Sequence, residues 1–246
     1  MPFTIKDVIQ LFEKESAIRG VEAYRYVSKI LKEAKELHRQ YFLTTGKTDH
    51  EQSWRAFKGN NLERLLTHIL DKEVRALGLK MVSGKALTSN QLSPMLDRVK
   101  RNLLVDYGQY GMHLPDVDLV IIDPVNGSVI VAVSVKVTLR ERIAQTGYWK
   151  LKLLKSPTTK DIKMYFVTLD EDGTLTTQSN PAKKGRAIVE EDTDGSYILS
   201  EGMIKESERV KMFDKFISDL KLIYEERNKK NSERLAIPYY HPRDIV

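Results

Sequence analysis

Residues 115–136 read PDVDLVIIDPVNGSVIVAVSVK, and two valine- and isoleucine-rich runs dominate the stretch. Residues 117–122 and 128–135 carry the β-branched side chains that suit a pleated, buried surface. Between them Asp123-Pro124-Val125-Asn126-Gly127 holds four residue types that favour turns. The stretch therefore predicts an antiparallel pair of core strands. Asp116 opens the first strand and Lys136 closes the second, so the turn brings both to one end of the pair. On a regular strand Asp118 projects to the same face as Asp116.

Helical patterns lie on the N-terminal side of this pair. Thr4 is placed to cap a helix carrying Ile5, Val8, Ile9 and Phe12, with Asp7 three residues after the cap. Gly20 separates it from a second helix, in which Tyr24, Val27, Ile30, Leu31 and Ala34 recur at helical spacing. The polar segment 44–49 marks a break. It divides a helical N-terminal region, residues 1–48, suited to DNA or subunit contacts, from a catalytic domain, residues 49–246. A long helix over 51–77 follows, with Trp54, Phe57, Leu62, Leu65, Leu66, Ile69, Leu70 and Val74 on its stripe and Gly78 at its stop. Ser93-Pro94 is a cap followed by a first-turn proline.

On the C-terminal side Thr138 opens a helix and residues 164–169 form a third strand. A hairpin is expected over 187–199, turning at Asp192-Thr193-Asp194-Gly195. A last helix over 207–229 carries Val210, Phe213, Phe216, Ile217, Leu220 and Ile223. Helices, then a short mixed sheet with an inserted helix, then a helix imply an α/β fold whose central mixed β-sheet is flanked by helices. No glycine fingerprint joins a strand to a helix and no P-loop is present, which argues against a dinucleotide or nucleotide-triphosphate fold.

The 246 residues contain no cysteine, so a disulfide framework, a cysteine zinc site and thiol chemistry are excluded. No apolar run approaches the ~20 residues that span a bilayer. MPFTIKDVIQ lacks the features of a secretory signal, and a cytoplasmic protein of prokaryotic type is expected. Forty basic against thirty-four acidic residues give a net charge of +6, compatible with a polyanionic partner.

Phosphodiester hydrolysis asks for the pair that residues 115–136 supply. A carboxylate such as Asp116 holds a hard divalent ion that offsets charge on the scissile phosphate. An ammonium such as Lys136 stabilises developing negative charge, and the Val135 carbonyl offers a further oxygen ligand. Taken alone, an aspartate and a lysine at strand ends are more often turn and surface residues. The following residues add weight. Arg140, Glu141 and Arg142 are placed at the mouth of a helix that begins where the catalytic strand ends. Arginine grips guanine bidentately and a carboxylate accepts from cytosine N4. Equally, Glu141 has capping-box spacing from Thr138, and the arginines suit a solvated face.

PDVDLVI, SVK and LRERIAQ resemble the PD-(D/E)XK type II restriction endonucleases of the CCGG/CCNGG group, typified by EcoRII, PspGI, NgoMIV and BsaWI. The resemblance covers residues 59–149 and implies a restriction-endonuclease-like core. It implies Asp116 as the metal ligand, Lys136 as the catalytic lysine, and Ser134 where most of the superfamily has an acid. It also implies Glu63, in Lys58-Gly59-Asn60-Asn61-Leu62-Glu63, as the carboxylate supplied from an early helix. Arg140, Glu141 and Arg142 would then read a CC/GG core, with Gln145 as a DNA contact or a neutral oxygen ligand. Asp118 stands open as a second or principal ligand. The group's glutamate about thirteen residues after the lysine is replaced here by Trp149.

These readings lead to the expectation of a Mg2+-dependent endonuclease, with Mn2+ as a substitute. It would cut palindromic double-stranded DNA as a homodimer or higher oligomer, leaving 5′-phosphate and 3′-hydroxyl ends. The alternatives are a structure-selective or repair nuclease on the same fold, and a DNA-binding protein without catalysis.

Overall fold

A computed structural model describes residues 2–46, 48–139, 143–177, 179–202 and 204–236, with the backbone alone for 231 and 233–236. Helix α1 (Ile5–Arg19) starts as expected. The Thr4 hydroxyl accepts from the Lys6 amide, and the Asp7 carboxylate accepts from the Thr4 backbone. A 3-10 segment (Gly20–Tyr26) leads into α2 (Val27–Leu43). Helix α3 (His50–Ala76) is capped by Asp49 and stops before Gly78, whose φ of 76° is easy only for glycine. Strand β1 (Lys80–Ser83) and a 3-10 turn (Gly84–Thr88) precede α4 (Pro94–Leu103), capped by Ser93. A two-strand ladder of β2 (Val105–Asp106) and β3 (Met112–His113) then leads into the catalytic segment.

Strands β4 (Leu119–Ile122) and β5 (Val129–Lys136) form the antiparallel pair that the β-branched runs predict, with Leu119 opposite Val133. Helix α5 (Ile143–Leu154) and β6 (Lys163–Thr168) follow. Then come α6 (Lys184–Asp192), β7 (Gly195–Ile198), β8 (Val210–Met212) and α7 (Phe216–Ala236). The six-stranded sheet has the order β1-β4-β5-β6-β7-β8, antiparallel on the β1 side and parallel from β5 onward.

Two expectations are corrected. Residues 187–192 are helical, not one arm of a hairpin, because β6 and β7 run parallel and a parallel pair needs a crossover. The Arg186–Glu190 ion pair, one helical turn apart, and the Thr193 hydroxyl on the Val189 carbonyl support that helix. Val210, read as part of the last helix, instead lies in edge strand β8, and α7 begins at Phe216.

Both faces of the sheet are covered. On one, Leu119, Ile121, Val131 and Val133 pack into a core shared with the N-terminal helices, α3 and Phe216. On the other, Val120, Ile122 and Ala132 meet α4 and Leu153 of α5. Strand β5 is buried along almost its whole length, so its exit at Lys136 is a rigid edge on which chemistry can be held.

Candidate active site

At that edge the Lys136 ammonium donates to the Asp118 carboxylate at 2.6 Å. The Val135 amide donates to the same oxygen at 2.6 Å, and the Ser134 hydroxyl lies 3.5 Å from it. Both ends of the pair are partly sheltered, with the Lys136 and Asp118 side chains 16% and 24% exposed. Shelter lowers the local dielectric and strengthens every charge interaction at the edge.

Asp116 stands apart. Its carboxylate is exposed and accepts from the Gln145 side-chain amide at 2.9 Å, at the start of α5. The expectation that Asp116 and Asp118 share one strand face is therefore corrected, because the regular strand begins only at Leu119. Val117 packs in the same core cluster as Val120, whereas Leu119 packs in the opposite one, so the alternation breaks at residue 118. Gly84 makes the break possible. Its amide donates to the Asp118 carbonyl at 2.7 Å, and a Cβ there would sit 1.8 Å from the Val117 carbonyl oxygen. Only glycine admits this backbone approach.

Glu63 reaches the site from α3 and accepts from the Ser83 hydroxyl, at the end of β1, at 2.7 Å. Burial pushes its carboxyl above the ordinary value, the Ser83 hydrogen bond works against the rise, and the negative charge of Asp118 adds to it. Lys136 and Lys85 pull it back more weakly. Two carboxylates thus press on one another beside one ammonium, an arrangement that a hard cation relieves. Among the described residues no three acidic or histidine side chains close a metal cage. Mg2+ does not require one, since it is held by one or two carboxylates together with phosphate oxygens and water. Glu63 and Asp118 fit that donor set.

The remaining sequence candidates separate clearly. Arg140, Glu141 and Arg142 lie outside the described residues, as does the capping role read for Glu141; the described helix α5 begins at Ile143 rather than Thr138. Trp149, where the resemblance leads one to look for an acid, is half-buried against the core beside α4. His113 is exposed, with Nε2 2.9 Å from the Tyr110 carbonyl. Trp54 is core. Arg186 is structural, donating to the Leu175 and Lys205 carbonyls, each at 3.0 Å. Sequence reasoning missed Ser83 and Gly84. The only signal was a small-residue pair ending a four-residue strand, and nothing local says which segment that glycine lets approach.

This edge matches a known family. The family model described as BsaWI restriction endonuclease type 2 matches residues 95–219, which include Asp116, Asp118, Ser134 and Lys136. The chain belongs to the BsaWI restriction endonuclease family. Candidate type II restriction enzymes are its relatives. MjaVIP of Methanocaldococcus jannaschii is 38% identical over 173 residues, covering 69% of this chain and 76% of the relative. HpyAORF263P of Helicobacter pylori is 33% identical over 181 residues, covering 73% and 87% respectively. Among solved structures the fold is similar to that of the restriction endonuclease PspGI in complex with substrate DNA. That match has a TM-score of 0.50 and 14% identity, and it covers 89% of this chain and 93% of PspGI. As a member of the BsaWI family the chain is a DNA-hydrolysing nuclease, and enzymes of this family generally depend on a divalent metal. The expected fold, a restriction-endonuclease-like mixed sheet flanked by helices with a helical N-terminal region, is the fold found.

Proposed function

We propose that the chain hydrolyses double-stranded DNA at a palindromic site with a CC/GG core, of CCGG or CCNGG type, leaving 5′-phosphate and 3′-hydroxyl ends. The observation that carries this reading is the Lys136–Asp118 contact at 2.6 Å at the strand exit, with the raised Glu63 carboxyl facing it. Asp118 and Glu63 would hold Mg2+, or Mn2+ in its place, with the Val135 carbonyl as a further oxygen. Bound there, the ion supplies charge neutralisation on the phosphate and a more acidic water. The Lys136 ammonium would face the phosphate oxygens and stabilise the charge that grows on them. Ser134 places a neutral hydroxyl where an acid would add a further negative charge.

In this reading Asp116, which accepts from Gln145 through one oxygen, takes a positioning role instead of ligating. The Gln145 contact ties the start of α5 to the segment that leads into β4. Arg140, Glu141 and Arg142 would read the G and C bases, with Gln145 beside them. A palindrome read this way calls for two copies related by a two-fold axis, and a higher oligomer is compatible with it.

Digestion of a plasmid of known sequence in Mg2+, in Ca2+ and in EDTA tests the reading. Discrete bands in Mg2+ alone, with fragment ends that align on a CC/GG core, are the expected result. Random nicking, or cutting confined to branched substrates, would instead indicate a structure-selective or repair nuclease. Retarded DNA without cutting in any condition would indicate a binding protein.

A further inference from the structure

Lys58 and Glu171 lie 113 residues apart in the chain and meet beside the exit of β5. The Lys58 ammonium donates to both oxygens of the Glu171 carboxylate, at 2.7 and 2.8 Å. Lys58 belongs to α3 and precedes Glu63 by five residues, about 7.5 Å along the helix axis. Glu171 belongs to the loop after β6, and its amide donates to the Val137 carbonyl at 3.3 Å. Val137 follows Lys136 directly, and Lys136 is paired with Thr168 at the end of β6. Glu171 therefore holds the exit of β5 through its backbone and the helix of Glu63 through its side chain. The loop that presents it is itself fixed. Asp170 is buried and adopts a φ of 50°, which few residues other than glycine take. Its carboxylate accepts from the Leu175 and Thr176 amides, and its carbonyl accepts from the Gly173 amide at 2.8 Å.

The structure assigns Lys58 and Glu171 a positioning role in DNA cleavage: their ion pair sets the spacing between Glu63 and Lys136. The inference rests on the proposed placing of those two residues in the active site. Folding stability is a poor account of the pair. Its side chains are 13% and 41% exposed, and ion pairs that reach solvent contribute little to folding. Reaction geometry is far more sensitive, since a misplacement of about 1 Å can lower a rate about 10²-fold. Leu62, Leu65 and Leu66 hold α3 down on the core, but apolar contact is non-directional. Two polar tethers add direction. Glu63 with Ser83 ties α3 to β1, and Lys58 with Glu171 ties it to the β5–β6 side of the sheet. Direct contact with a DNA phosphate is the other use of an ammonium at this edge. The 13% exposure of Lys58 argues against it, and the salt dependence of binding distinguishes the two roles.

Three variants of the full-length chain give the test: Lys58→Met, Glu171→Gln and the two combined. The substrate is a linear duplex carrying whichever site plasmid digestion maps, so the outcome is independent of the CC/GG assignment. In single-turnover assays at saturating DNA and Mg2+, each single variant should cleave about 10- to 100-fold more slowly. The double variant should be no slower than the slower single, because both changes break one contact. DNA affinity in Ca2+, its salt dependence and the urea midpoint should all stay at wild-type values. Losses that multiply in the double variant, or wild-type rates in both singles, would overturn the proposal. So would a rate that falls only together with the urea midpoint. Weaker binding with a shallower salt slope in Lys58→Met alone would also overturn it, since that marks a phosphate contact. Lys136→Ala, assayed alongside, separates this role from the site it serves. If Lys136→Ala cuts normally, the site assignment fails. If it is inert while Lys58→Met and Glu171→Gln cut at wild-type rate, the positioning role alone fails.

Discussion

Two lysine–aspartate pairs, each with a 2.6 Å contact, sit at opposite ends of the parallel half of the sheet: Lys136–Asp118 and Lys150–Asp194. Their chemistry is the same and their surroundings differ. Asp194 also accepts from the Met164 amide and lies 3.5 Å from Lys163, while the Lys150 ammonium donates to the Ile162 carbonyl. There one carboxylate answers two ammonium groups, and the Lys150–Asp194 pair is the more buried of the two. At the other end Asp118 stands near a second carboxylate, Glu63, whose carboxyl is raised chiefly by burial, with a smaller push from the Asp118 charge. A salt bridge by itself marks no active site. What sets the Lys136 end apart is a surplus carboxylate, which a hard cation can answer.

The largest effect should separate the two pairs. Lys136→Ala should lower the cleavage rate by at least about 10³-fold, as loss of a preorganised charge donor does, while chemical denaturation shows near wild-type stability. Lys150→Ala should do the reverse, costing up to about 3 kcal/mol by leaving the partly buried Asp194 with only the longer Lys163 contact and the Met164 amide. Urea denaturation alongside turnover in Mg2+ would measure both, and loss of turnover in a well-folded Lys150→Ala would break the contrast. Gly84→Ala tests how the active pair is placed. Its methyl would meet the Val117 carbonyl, so a loss of about 1–3 kcal/mol is expected, with cleavage falling further than stability because Asp118 is moved.

Asp116→Asn should change the rate by less than about tenfold, since an asparagine oxygen still accepts from Gln145, whereas Asp118→Asn should abolish cutting. If Asp116→Asn is as dead as Asp118→Asn in single-turnover assays, Asp116 is a ligand and its positioning role is wrong. The smallest effect concerns a third kind of buried polar group. His38 lies among Phe3, Phe42, His50, Trp54 and Phe57, and burial, with a smaller contribution from His50, holds its imidazole below the usual histidine range. The unfolded chain takes up this proton near pH 6.5 and the folded chain resists it. Stability is therefore full above that pH and declines as pH falls, by at most about 1.4 kcal/mol per unit. Urea midpoints at pH 7.5 and pH 5 should differ less in His38→Leu than in the wild type.

The β4–β5 pair, the early helices with the Thr4 cap, and the Lys136 end of the sheet were legible because they depend on local patterns. Side-chain periodicity, β-branching and turn chemistry all act within a few residues. The α6 crossover was not legible, since Ala187, Ile188 and Val189 suit a strand as well as a helix and only the parallel register of β6 and β7 requires the helix. The choice between Asp116 and Asp118 was also beyond the sequence. Both lie before the same strand, and the one that meets Lys136 is selected by a backbone contact from Gly84, thirty-four residues earlier in the chain. Residues 115–136 by themselves determined that acid and amine meet at one sheet edge. Which acid, with Glu63 as its neighbour, was decided by long-range packing of β1 and α3, because such contacts join segments whose spacing leaves no periodic trace.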